Sequence, residues 1–142
     1  MRRNHSNVIL TISSIIAIAV FAFVLAILFS SITVEVADDA FTVKCLYHTE
    51  TIAYDDVASI ELSYNYSAKR VFSIGGISKA LGTYENDAYG KHYRISYEEN
   101  AHNHIIITKK DGSVTVFNQK TEPKTAELYE ALLAHIPPPE TE

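Results

Sequence analysis

From Val8 to Ile32 the chain reads VILTISSIIAIAVFAFVLAILFSSI, 25 residues without a charge, a proline or a glycine. Nothing else in the sequence constrains the fold as strongly. About 20 such residues cross the hydrocarbon layer of a bilayer as a helix. An unsatisfied backbone amide in lipid is costly, so the segment must be helical if it spans. A core helix would keep a polar stripe, which this run lacks. A cleaved signal peptide has a shorter apolar region followed by a small-x-small site. Here the run is longer, and Ser30, Ser31 and Ala37 offer a poor site. The expectation is an uncleaved single-pass anchor over residues 8–32.

The flanks set its orientation. Arg2 and Arg3 precede the run; Glu35, Asp38 and Asp39 follow it, and Lys44 is the first base beyond it. Basic flanks stay in the cytoplasm. Residues 1–7 are therefore expected inside the plasma membrane and the remainder of the chain outside. Past the run, 17 acids face 10 bases, a net charge of −7. That balance argues against nucleic acid and against docking on an anionic lipid surface. One cysteine, Cys45, permits no internal disulfide.

Residues 33–136 read as one domain of short strands closed by a helix. TVEVADDAFTVKCLY alternates on either side of Asp38–Asp39, a hairpin pattern. TIAYDDVASIELSYNY gives a short strand, an acidic turn at Asp55–Asp56, and a longer strand carrying Ile60, Leu62 and Tyr64. KHYRISY alternates Tyr93, Ile95 and Tyr97. In HIIITKKDGSVTVFNQ the Asp111–Gly112 pair supplies the positive φ angles of a tight hairpin turn. The helix starts from a Thr121 cap at about residue 122, with Pro123 in its first turn. Leu128, Leu132 and Ile136 form its apolar face, widened by Tyr129 and Leu133, and Pro137–Pro139 end it. Residues 137–142 are a proline-rich acidic tail. About seven strands and one helix suggest a mainly-β barrel or sandwich capped by the helix.

The order of these features resembles the bacterial pleckstrin-homology-like domains that follow membrane spans. The resemblance is carried by Arg70 with Gly75 and Gly76, by Gly82-Thr83-Tyr84, by HYRISY, by IIITKKDGSVTVFN and by PKTAELYEALLAHI. It implies a pleckstrin-homology-like barrel, and conveys fold more than activity because these domains have largely unassigned roles. Members that bind phosphoinositides carry basic residues around the first hairpin. Here that hairpin turns at Asp38–Asp39, whose carboxylates repel a phosphate headgroup, so phosphoinositide binding by that route is not expected.

Four of the five glycines lie in RVFSIGGISKALGTYENDAYG, residues 70–90. Their spacing fits neither the P-loop nor the dinucleotide fingerprint. The expected role is a connection or bulge between strands. His102 and His104, with His92 nearby, suggest at most a metal-dependent hydrolase, but no cysteine pair or dense carboxylate cluster accompanies them. No nucleophile elbow or Ser-x-x-Lys pattern occurs. The sequence therefore predicts no catalytic set and no cofactor or metal. It predicts a non-catalytic module binding protein through a sheet edge or through residues 70–90, with Lys69, Arg70, Lys79 and Tyr84 as candidate binding residues. The alternative is a small-ligand sensor using the barrel mouth, with a pocket lined by Tyr84, Tyr89 and Tyr93.

Overall fold

The computed structural model describes residues 3–46, 48–74, 78–99 and 102–138. Two units are distinct, residues 1–30 and residues 31–142. The first is the helix α1, Arg3–Phe29. Its Asn4–Phe29 stretch is long and apolar enough to cross a membrane, and none of its apolar window is buried within the protein. The hydroxyls of Thr11, Ser13 and Ser14 return to the helix's own carbonyls: Thr11 Oγ1 donates to Asn7 O and Ser14 Oγ to Leu10 O, both at 2.8 Å, and Ser13 Oγ to Leu10 O at 3.0 Å. Polar side chains bonded in this way leave no donor facing an apolar surrounding.

The apolar run and the helix end at different places. Ile32, the last residue of the run, is only 3% exposed in the core of the second unit. Its backbone N–H donates to the Tyr97 hydroxyl at 2.8 Å.

The second unit has nine strands among the described residues, in two sheets, and a C-terminal helix. It is sandwich-like, without a closed barrel. β1 (Thr33–Val36), β2 (Ala40–Lys44) and β3 (Thr49–Ala53) form an antiparallel three-stranded sheet. The Asp38–Asp39 hairpin is as the alternation predicts, with Val36 opposite Phe41 and Val34 opposite Val43. A 3-10 turn at Tyr54–Asp56 leads to the second sheet. The Tyr54 hydroxyl donates to Ala37 O at 2.8 Å, which ties this turn to the first hairpin.

The second sheet contains β4 (Val57–Ser63), β5 (Lys69–Ile74), β6 (Lys79–Asn86), β7 (Gly90–Tyr97), β8 (His104–Lys109) and β9 (Val114–Phe117). Their spatial order is β4-β8-β9-β7-β6-β5. All neighbours are antiparallel except β7 and β9, which run parallel for three residue pairs. The β8–β9 hairpin turns at Gly112, whose φ is 87°. Central strands covered on both faces read as continuous apolar runs rather than alternating ones. Accordingly Ile105, Ile106 and Ile107 are all buried.

The core lies between the two sheets and α2 (Glu122–His135). Phe41, Ile95, Ile105, Phe117 and Leu132 are fully buried there. Thr121 caps α2 as expected, its hydroxyl accepting from Lys124 N–H. Leu128, Tyr129 and Ile136 pack with Leu132, whereas Leu133 points outward and is 41% exposed. On the far face of the second sheet, Ile106, Val114 and Val116 form a smaller cluster covered by Tyr66 and Tyr89.

Two of the nine strands come from the glycine-rich stretch. It forms the antiparallel pair β5 and β6 rather than one long connection. Gly82 sits within β6 at φ 153°, facing Ser73 of β5. Gly75 and Gly76 lie outside the described residues.

Candidate functional site

β5 is an outermost strand of the six-stranded sheet, so among the described residues one row of its backbone groups has no strand beside it. Val71, Phe72 and Ile74 are 49%, 65% and 43% exposed. Lys69 and Arg70 are also exposed. The register with β6 shifts between Arg70 and Phe72, so the strand's side chains do not alternate regularly. The sheet therefore ends in an exposed apolar edge with two bases at one end.

A polar cluster on the sheet's outer face supports this edge. Paired residues of antiparallel strands share a face. Tyr84 opposite His92, Gly82 opposite Arg94 and Arg70 opposite Tyr84 therefore place all five residues on one face. The Arg94 guanidinium lies 5.0 Å from the Tyr84 ring centroid and 5.2 Å from that of Tyr66. Two tyrosine faces thus hold the cation by cation–π attraction. Arg94 Nε donates to Ser96 Oγ at 2.6 Å, and Nη2 to His104 Nε2 at 3.4 Å. The Tyr84 hydroxyl donates to Ser73 Oγ on β5 at 3.1 Å, which links the cluster to the edge strand.

The two histidines are committed in the same cluster. His92 Nδ1 lies 2.8 Å from Gly90 O, and a carbonyl only accepts, so this nitrogen carries the proton. In the neutral ring Nε2 then accepts from the Tyr66 hydroxyl at 2.5 Å. Burial pushes the Tyr66 phenol up to about 12, with Arg94 opposing the shift. Because Arg94 is only a donor, His104 Nε2 must accept, and Nδ1 is left buried without a partner among the described residues. Burial, then the Arg94 charge, lowers His104 to about 4.

A second feature is a cleft of about 450 Å³ lined by residues of both sheets. Lys109 Nζ donates to Glu50 Oε1 at 2.8 Å, and Thr115 Oγ1 lies 3.1 Å from each Glu50 oxygen. This joins β3 of one sheet to β8 and β9 of the other. The His48 ring lies over Tyr93 with centroids 4.3 Å apart.

The sequence-predicted residues separate in space. Lys69, Arg70 and Tyr84 meet at the β5–β6 pair. Lys79 does not join them: it pairs with Tyr97 at the other end of β6, on the inner face, and is 6% exposed. Burial, then the Lys120 charge, lowers its pKa. Tyr84, Tyr89 and Tyr93 do not line one pocket either. Tyr84 lies under Arg94, Tyr89 borders a small hollow near Glu61, and Tyr93 faces the cleft. His92 and His104 share the outer face, but His102 is exposed and precedes β8. Among the described residues, no group of three His, Cys, Asp or Glu side chains could hold a metal ion.

Arg94, Tyr66, Glu50 and Lys109 are the residues that sequence reasoning passed over. Alternation in HYRISY was a usable signal for one of them. If Tyr93, Ile95 and Tyr97 face inward, His92, Arg94 and Ser96 must share the other face.

No family model, curated protein or solved structure matches this chain.

Proposed function

We propose that the chain is a single-pass plasma-membrane protein, N-terminus cytoplasmic, whose residues 31–142 form an extracytoplasmic, pleckstrin-homology-like interaction module without catalytic activity. The module receives an extended segment of a partner protein as an added strand along β5. The observation that carries this proposal is the outermost position of β5 with Val71, Phe72 and Ile74 exposed. Natural proteins blunt such edges, and strand addition is a recurring use of those left open. Lys69 and Arg70 favour a partner segment with acidic residues at one end. The apolar helix and the order of strands before a terminal helix support the anchor and the fold assignment.

Site-specific photocrosslinking in intact cells tests this. A photoreactive residue at Phe72 is expected to give a discrete adduct, reduced by a second change of Ile74→Lys. The same residue at Lys124, exposed on α2, is expected to give none. Equal labelling from both positions, or none from position 72, overturns the β5 docking site. Turnover of a hydrolase substrate panel by the purified full chain would overturn the non-catalytic assignment.

A further inference from the structure

We infer that the cleft lined by residues of both sheets is a binding site for a small organic anion with a flat apolar body. This site is independent of the β5 edge. Its floor is a single row across three strands: Thr83 of β6 pairs with Tyr93 of β7, and Tyr93 with Thr115 of β9. Its other side is Glu50 of β3 and His48, the residue just before β3. The volume, about 450 Å³, falls in the range of small-molecule sites, roughly 300–1,000 Å³.

The charges select the ligand. Glu50 is already matched, by the Lys109 ammonium on one oxygen and the Thr115 hydroxyl between both. It has little capacity left to hold a cation. Lys91, two residues before Tyr93 and on the same face, makes no ion pair among the described residues. Its cross-strand neighbour Glu85 lies outside ion-pair distance. The Thr83 hydroxyl, on the floor beside Tyr93, makes no hydrogen bond among the described residues. The cleft therefore presents one uncommitted cation and one uncommitted hydroxyl in a domain that is acidic overall. An anionic oxygen group satisfies both. The Tyr93 and His48 rings are in contact with each other, centroids 4.3 Å apart, so the flat body packs against the rims of this ring pair rather than between the rings. Carboxylates and phosphate monoesters share this chemistry.

The test uses the full chain in phosphatidylcholine nanodiscs, titrated with 4-fluorobenzoate and 4-fluorophenyl phosphate and followed by fluorine NMR. 4-Fluorobenzyl alcohol is the neutral control. Saturable binding of at least one anion, with none of the alcohol, is the expected result. Which anion binds tighter then assigns the ligand class. Lys91→Glu is expected to weaken binding at least tenfold, and Thr83→Val two- to fivefold. Lys110→Glu, the same charge change on the exposed hairpin outside the cleft, is expected to weaken it less than twofold. Neutral and anionic probes binding alike overturns the site, as does the absence of saturable binding. Equal losses from Lys91→Glu and Lys110→Glu would reduce it to general charge attraction and overturn it as well. Unchanged thermal unfolding of each variant shows that the fold is intact.

Discussion

Gly82 of β6 lies so close to Phe72 of β5 that a Cβ placed on it would collide with the Phe72 carbonyl oxygen and sit 2.8 Å from Ser73 Cα. The obstruction is backbone, which cannot swing aside as a long side chain can. The φ of 153° adds strain for any L side chain. Gly82→Ala is therefore expected to destabilise the domain by roughly 3 kcal/mol, the order seen when strain and a steric clash combine. Thermal unfolding of the full chain in detergent, followed by circular dichroism, should show a midpoint lower by about 10 °C. Gly112→Ala affects an exposed turn with nothing near the new Cβ and is expected to cost less, about 1 kcal/mol. Equal effects at the two positions would remove the close β5–β6 approach as the cause.

His104 makes stability depend on pH. Burial beside Arg94 lowers it to about 4 from its ordinary 6.5. Between those values the unfolded chain binds a proton that the folded chain does not, so stability must fall as pH falls through this window. The contribution is fully present above pH 6.5, and the decline levels off below about 4. Its size is at most about 3 kcal/mol. His104→Gln removes the titrating group and should flatten the pH 4–6.5 part of the profile, whatever it costs at neutral pH. A profile of unchanged steepness in the variant assigns the dependence to other groups.

Much of the fold is legible in the sequence, for physical reasons that also explain what is hidden. The Asp38–Asp39 and Asp111–Gly112 hairpins, the Thr121 cap and the apolar helix are local signals, each set by a few adjacent residues. β5 is hidden because it is an edge strand with neither face buried and with a register shift at Val71, so its residues show no period. β6 is hidden because Gly82 interrupts it and a buried lysine opens it. The parallel pairing of β7 with β9 leaves no local trace at all. The outer-face cluster draws Tyr66, Tyr84, Arg94 and His104 from four segments, a juxtaposition set by sheet order. The basic cluster of Lys69, Arg70 and Lys79 separates for the same reason: register pairs Arg70 with Tyr84 and Lys79 with Tyr97 at the other end of β6, and alternation along β6 puts Lys79 on the opposite face from Tyr84 and Arg70.

Glu50 and Lys109 hold the two sheets together at the cleft. Their side chains are 17% and 24% exposed, more protected than an ordinary surface pair. Glu50→Gln leaves the Lys109 ammonium without its carboxylate, and Lys109→Met leaves the Glu50 carboxylate without its cation, held by the Thr115 hydroxyl, so each is expected to cost about 1–2 kcal/mol. The double variant should cost less than the two together, with a coupling of about 1 kcal/mol. Denaturant unfolding of the full chain in detergent reads all four states. Strict additivity would mean that the ion pair adds nothing beyond the contact of its two side chains.

With α1 spanning a membrane as proposed, the side on which residues 31–142 lie would decide which molecules can reach β5 and the cleft. Arg2 and Arg3 before the apolar run, and three acids before the first lysine after it, favour a cytoplasmic N-terminus. Ser113 is exposed on the β8–β9 hairpin and suits a reporter. The one native thiol, Cys45, is half-buried and can be removed. In a Cys45→Ala background, Ser113→Cys should react in intact cells with a membrane-impermeant maleimide, to the same extent as after lysis. A second reporter, Asn4→Cys before the run, should react only after lysis. The two patterns exchanged would place the domain in the cytoplasm, and the partners of β5 with it. Labelling of both positions in intact cells would show that the helix does not cross the bilayer. The choice between the first two outcomes turns on whether two arginines suffice to hold one end of an otherwise uncharged helix inside.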